Sequence, residues 1–381
     1  MKVVICPDKF EGTLSAVAAA EAIAEGWRGV ASGDELVTRP VADGGPGFLR
    51  VLHASLGGDL VEVPTTDPLD RPVTGHVLII HETAYVESAQ ACGLAYLVPK
   101  ERNPKLTTSF GLGSLVRAAP AGRVVVGLGG SGTNDAGSGW FEALGITPVD
   151  ADGRPLPRGG AALLGCAGLR ITGGLQDEPS GELIGASDVD NPLTGPHGAS
   201  AVFGPQKGAT PEDVGLLDAA LAQWASIVER DLPGCPPELA RLPGGGAAGG
   251  LGAAILALGG RIISGIDLVL DQTGLNRALE GADLVITGEG SFDQQSLRGK
   301  VISGVAQAAA EQGVPCVVLA GRVTTGRREQ GAAGISEAYA LVDHFGSVER
   351  AMAEPAQGLR ELAAKLARRY SPGHDRDHTG G

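Results

Sequence analysis

Four short, largely apolar runs, at 3–6, 123–126, 283–287 and 316–320, each lead straight into a segment of glycine and polar residues. Unbroken runs of this length, without polar alternation, are the pattern of strands buried on both faces, as in a parallel sheet. Parallel strands need crossover helices, and helical patterns stand where they are wanted. An Ala-rich stretch at about 15–29 places Ile23 and Trp27 four apart on one face. Residues 48–56 are helical after a strand at 36–41, and 301–312 follow the third run. The class expected is α/β, with polar residues at the strand carboxyl ends, where open α/β sheets hold their ligands.

The middle of the chain has another character. Residues 60–90 alternate apolar and polar side chains (Val61, Val63; Val77, Ile79; Tyr85, Glu87), which predicts an antiparallel or mixed sheet. Residues 150–182, rich in Gly, Pro and Leu, predict a loop with short turns. Thr210 is a fitting N-cap for a helix over 211–230. The last helical region runs over 347–369, and a tail from 371 is expected to be disordered. The opening pattern returns in the final third. One discontinuous α/β domain is therefore expected from 1–72 plus 280–381, with a second domain, 73–279, inserted into it.

Composition narrows the function. Glycine fills 61 of 381 positions, about twice its usual share, yet 43% of residues are hydrophobic, enough for a core with many tight loops. The net charge of −14 argues against nucleic acid or an anionic membrane as the main partner. No run of 18 apolar residues spans a bilayer, and the opening MKVVICPDKF lacks a signal-peptide layout. Five scattered cysteines form no CxxC pair, which fits a reducing compartment; the cytoplasm is expected.

Five polar clusters carry the chemistry. Asp8-Lys9-Phe10-Glu11-Gly12-Thr13, between a strand and a helix, suits an anion, although Asp8 or Thr13 could merely cap the helix. Asp43-Gly44-Gly45 can hold a metal or hydroxyl, or be an ordinary turn. GLGGSGTNDAGSG, from Gly127, is the strongest. Its glycines let backbone N–H groups approach an anion, and Ser131, Thr133 and Asn134 add neutral donors. The phosphate-loop pattern G-x-x-x-x-G-K-S/T is absent, and the dinucleotide spacing matches only through glycine density. The fourth cluster runs from Asp188-Val189-Asp190-Asn191-Pro192 to Gly204-Pro205-Gln206-Lys207-Gly208. Only seven lysines accompany 23 arginines, and Lys9, Lys207 and Lys300 sit in Gly-rich polar loops, so Lys207 is expected to meet phosphate. Asp188 and Asp190 could share a Mg²⁺ with ATP phosphates. The fifth, from Thr287 to Lys300, sets Glu289, Asp293, amides and cations after a buried strand, a make-up suited to a metal-phosphate substrate. The seven histidines form no metal-like pair, and no GxSxG elbow supports a hydrolase.

In this order, CPDKFEGTLSA, PVADGG, RNPKLTTSFGLG, GLGGSGTNDAGSG, DVDNPLTGPHGASAVFGPQKGAT, GGGAAGGLGAA and TGEGSFDQQSLRGKVISGVA resemble the glycerate kinase family of the bacterial two-domain type, over about residues 1–368. The resemblance implies phosphoryl transfer from ATP, with Mg²⁺, to a hydroxyl of D-glycerate. It also implies a Rossmann-like (flavodoxin-like) domain built from both termini, an inserted α/β domain, and an active site in the cleft between them. Within it, Asp190, Lys207, Asp293 and Lys300 are expected to be catalytic. Asp8, Lys9, Asp43, Gly129, Gly130, Ser131, Thr133, Asn134, Asp135, Asn191 and Glu289 are expected to bind substrate or phosphate. Asp188, Asp190 and Asp293 are the expected metal ligands. The chain departs from the family pattern at Glu11, Pro46, Phe48, Ser291 and Ile302. Glu11, Pro46, Phe48 and Ser291 keep one alternative open, the same chemistry on another small hydroxy acid; a second, of a different class, is a catalytically silent nucleotide- or metabolite-binding homologue. A homodimer is left open.

Overall fold

The computed structural model describes residues 1–10, 12–119, 122–172, 181–294, 296–297 and 301–371; Glu11, Lys300 and the tail from 372 lie outside the described residues. Its strands, in chain order, are β1 (Lys2–Ile5), β2 (Glu35–Thr38), β3 (Asp59–Thr66), β4 (Pro72–Ile80), β5 (Thr83–Glu87), β6 (Arg123–Gly127), β7 (Ile146–Val149), β8 (Gly168–Ile171), β9 (Glu182–Ala186), β10 (Arg261–Ile263), β11 (Leu284–Phe292), β12 (Cys316–Val323) and β13 (Ile335–Ala340). The chain divides into two compact units. Unit 1 comprises Met1–Ala42, Arg50–Leu56 and the chain from Ile266 onward; unit 2 comprises Asp43–Leu49 and Gly57–Gly265.

In unit 1 a parallel sheet runs β13-β12-β11-β1-β2. Counted within the unit, the order is 2-1-3-4-5, the flavodoxin-like doubly wound arrangement, and it reverses between β1 and β11. The unbroken apolar runs are explained by burial on both faces: Val3, Val4, Ile5, Leu284, Val285, Ile286, Val317, Val318 and Leu319 are all inaccessible to solvent. On one face Ile5, Ile286 and Leu319 share a core with Ile23 and Trp27 of the helix Ala16–Arg28 and with Leu359, Leu362 and Leu366 of the helix Pro355–Tyr370. Ser15 starts the first helix by accepting from the Ala18 N–H at 3.2 Å.

In unit 2 a six-stranded mixed sheet runs β10-β9-β6-β5-β4-β3. β5, β6, β9 and β10 are parallel, and β3-β4-β5 is antiparallel, as the alternation over 60–90 requires. The helix Pro211–Asp231, capped by Thr210, presents Leu221, Trp224 and Val228 to the core. There Trp224 meets Phe141 edge-on at 5.7 Å.

Several expectations need correction. The units divide near 57 and 265, not at 72 and 280, because β3 pairs with β4 along its whole length and a boundary at 72 would split that hairpin. Residues 150–182 are not all loop: β8 pairs antiparallel with β7. β2 ends at Thr38, well short of 41. The last helical region is two helices, Val348–Ala353 and Pro355–Tyr370, since Pro355 cannot extend the first.

Candidate active site

In unit 2 the carboxyl ends of β6 and β9 meet the 43–47 segment at close range. A Cβ on Gly129 would lie 2.6 Å from the Gly45 Cα, so only glycine permits the approach. Asp43 Oδ1 accepts from the Gly45 N–H at 3.0 Å, which folds its own loop. The departures from the family pattern have plain places here. Phe48 is buried and packs edge-on against Tyr85 at 6.1 Å, and a Cβ on Gly130 would lie 2.5 Å from the Pro46 ring.

The segment leaving β9 carries Asp188, Asp190 and Asn191. The glycines of GGGAAGG hold it: Gly244 N–H donates to the Asp190 carbonyl at 3.0 Å and Gly246 N–H to the Asn191 carbonyl at 2.8 Å. Ser264 Oγ donates to Asp188 Oδ1 at 2.8 Å, and the Asn191 amide donates to the His197 carbonyl at 2.8 Å. Asp190 is exposed and Asp188 half-buried.

The loop after β6 turns its polar side chains inward. Ser131, Thr133, Asn134 and Asp135 are all buried. Asp135 accepts from the Ser109 N–H (2.8 Å), the Ser109 hydroxyl (2.9 Å), and the Gly137 and Gly139 N–H groups (both 3.3 Å). Burial pushes its carboxyl above the usual carboxylate range, and those four donors pull it back. Its place is therefore to organise the loop, not to face outward. Asn134 donates to Ser200 Oγ at 2.9 Å. The other end of its amide and the Thr133 hydroxyl are buried with no partner among the described residues. Buried polar atoms left so are uncommon and suit a site that takes a polar ligand.

Lys207 is also turned inward. It is 1% exposed, and its Nζ donates to Ser131 Oγ at 2.9 Å and to the Thr133 carbonyl at 2.7 Å. Burial lowers the ammonium to about 7, with the Asp135 carboxylate acting the other way. Behind it runs a left-handed stretch, Ala248, Gly249 and Gly250. Ala136, itself at φ +47°, donates its N–H to the Gly249 carbonyl at 3.0 Å. Gly249 has φ +72°, and a Cβ there would lie 1.9 Å from the Thr133 carbonyl oxygen.

In unit 1 the polar residues collect where the strand order reverses. Asp8 N–H donates to the Gly288 carbonyl at 2.8 Å, so the chain leaves β1 alongside β11. Asp8 Oδ1 accepts from the Lys9 N–H at 2.6 Å, with Lys9 Nζ 3.9 Å away. β11 continues to Phe292, which takes Glu289 into the strand. Asp293 follows in a turn with reciprocal bonds: its N–H donates to Ser296 Oγ at 3.1 Å, and its Oδ1 accepts from the Ser296 N–H at 3.3 Å. Lys300, expected to be catalytic, lies outside the described residues.

One participant was not foreseen. Glu87, at the carboxyl end of β5, is buried, and its Oε2 accepts from the Gly47 N–H (3.1 Å) and the Leu49 N–H (3.3 Å) at the start of the helix Phe48–Leu56. A carboxylate closing a buried strand was the available signal. Glu87→Ala is expected to lower stability by about 1–2 kcal/mol, since one buried N–H (Leu49) and one half-buried N–H (Gly47) lose their acceptor. Glu87→Gln, which keeps an acceptor, should lose less than half of that in urea unfolding.

The glycerate kinase family profile matches residues 3–371. A glycerate kinase of Bacillus subtilis strain 168 is 39% identical over 373 residues, covering 96% of this chain and 97% of that protein. A glycerate 2-kinase of Escherichia coli K12 is 36% identical, covering 96% and 98%. A crystal structure described as a glycerate kinase 2 from Salmonella typhimurium LT2 superposes with a TM-score of 0.80 at 37% identity, covering 98% of this chain and 99% of that one.

Proposed function

The chain belongs to the glycerate kinase family, and on that footing we propose that it transfers the γ-phosphoryl group of ATP to D-glycerate, forming 2-phosphoglycerate with the help of Mg²⁺. It is an enzyme, a phosphotransferase with an alcohol group as acceptor. The observation that carries the finer reading is the loop after β6. A buried cation stands behind glycine backbone and hydroxyl donors, beside two buried polar atoms that have no partner among the described residues. Phosphoryl transfer asks for positioning and charge neutralisation and little covalent chemistry, which is what such a loop supplies.

The donors present fit magnesium. Among the described residues no three His, Cys, Asp or Glu side chains converge, but Mg²⁺ in phosphoryl transfer takes only one or two carboxylates, the rest of its shell being phosphate and water. Asp188 and Asp190, two hard oxygen donors on one segment, meet that need in unit 2, with Asp293 available in unit 1. Bound there, the ion would neutralise phosphate charge. Gly129 to Asn134, apart from the Gly132 N–H that is held by the Cys92 carbonyl at 2.7 Å, present backbone N–H groups and hydroxyls to an anion. Asp43 and Asn191 flank that loop, and Asp8, Lys9 and Glu289 bind the polar substrate at the unit 1 strand ends. A carboxylate, Asp293 or Asp190, accepts the glycerate hydroxyl proton.

Phosphorus NMR of the product from ATP, Mg²⁺ and D-glycerate tests this reading. A 2-phosphoglycerate signal is expected. A 3-phosphoglycerate signal would keep the enzyme and overturn the position. No phosphoester from folded, ATP-binding protein would overturn the acceptor.

A further inference from the structure

Lysines in anion sites usually reach the anion; the surroundings of Lys207 point elsewhere. The side chain is closed in by protein. Two of its N–H directions end on Ser131 Oγ and the Thr133 carbonyl. A third side is covered by the 247–250 segment, where a Cβ on Gly249 would come within 2.9 Å of Nζ. The short turn Pro205–Lys207 that carries the side chain is backed onto the chain at Arg102, since a Cβ on Gly208 would lie 2.2 Å from the Arg102 carbonyl. Ser131, by contrast, stands in the glycine loop, and its hydroxyl accepts from the ammonium. A hydroxyl that accepts from a cation keeps its own proton to give, and is polarised to give it more strongly.

We propose that Lys207 is a positioning residue that never touches substrate: it fixes Ser131 as a hydrogen-bond donor whose proton is turned away from the ammonium and ties down the Thr133 carbonyl, so that the loop meets an anion already oriented. The proposal rests on the reading of this loop as the phosphate or carboxylate cradle of the kinase.

The arrangement has a direction. While Nζ is charged, it can only donate, and Ser131 must point its proton away from it. A neutral amine has a lone pair, and the Ser131 proton can turn back to it, which takes a donor out of the cradle. Burial brings this change to about pH 7. The groups facing Nζ are Asp135 and Cys92. The Cys92 thiol is pushed far up by its burial and stays neutral here, whereas Asp135 keeps four donors on its carboxylate. Residues 247–250 add no titratable side chain.

The test is kcat/KM against pH, from 5.5 to 9, for the full chain and for Lys207→Met, Ser131→Ala and the double variant. The wild type is expected to lose activity as pH rises through about 7. Each single variant should be at least tenfold slower at pH 6 and lack that fall. The double variant should be no slower than the worse single, because the two residues act in series. Multiplying losses, or a fall through pH 7 that survives in Ser131→Ala, would overturn the proposal and make Lys207 a direct contact. If Lys207→Met does not fold, the Ser131→Ala profile decides alone. A wild type that phosphorylates no glycerate at any pH would instead remove the functional reading on which this one rests.

Discussion

Replacing Asp135 by alanine is expected to destabilise unit 2 by about 3–5 kcal/mol, on the order of 1 kcal/mol for each buried donor that loses its acceptor. Four donors, from Ser109, Gly137 and Gly139, lose their common acceptor. Each is buried, so water does not replace the lost bond without rearrangement. The buried Lys207 ammonium also loses the carboxylate whose charge favours its protonated form. Asp135→Asn should recover only part of the loss, because its NH₂ group would face donors. Guanidinium unfolding of a Trp27→Phe background reads this directly, since Trp27 belongs to unit 1 and Trp140 and Trp224 then report unit 2 alone. A loss below about 1 kcal/mol would show that the carboxylate is not the hub of the loop.

Asp293→Ala is expected to lower kcat by at least about 100-fold, the usual effect of removing a group that acts on the transition state. Alanine alone would mix two losses, because Asp293 also holds its turn through Ser296. Asp293→Asn separates them. The amide oxygen still accepts from the Ser296 N–H, while the charge that a proton acceptor or metal ligand needs is gone. The two variants should therefore be equally slow, while Asp293→Asn keeps more of the wild-type thermal stability than Asp293→Ala. Near-normal turnover in Asp293→Asn would take the residue out of the chemistry.

The sequence was most legible where burial is extreme. Runs such as Val3-Val4-Ile5 and Val124-Val125-Val126 could only be strands covered on both sides, and they are. β13 escaped notice because it is an edge strand whose Glu337, Ala338 and Tyr339 are only half-buried, with no apolar run to betray it. β8 hid for the same reason in a Gly- and Pro-rich stretch. In the candidate site, residue types were legible and directions were not. The scarcity of lysine singled out Lys207, but nothing in the order of residues tells an ammonium aimed outward from one aimed at Ser131 and Thr133. Asp135 is the same case. Its inward turn depends on Ser109, which is 26 positions away and unremarkable as a sequence. Glu87 lay within a strand-like alternation, where its acceptance of two N–H groups from residues some 40 positions earlier left no local mark.

The neighbouring of β1 and β11 bears on how the chain is made. The Thr287 hydroxyl donates to the Cys6 carbonyl across 281 positions of sequence, and β1 lies between β11 and β2 in its sheet. A ribosome adding roughly 5–20 residues per second reaches the missing partner about 14–56 s after β1 has emerged. Every strand of unit 2 is synthesised within that interval. The opening β1-helix-β2 segment must therefore wait, with one flank of β1 unpaired, while the inserted unit has all it needs to fold. The length of the insert sets how long the first strand stays exposed, so its size bears on residues that it does not contain.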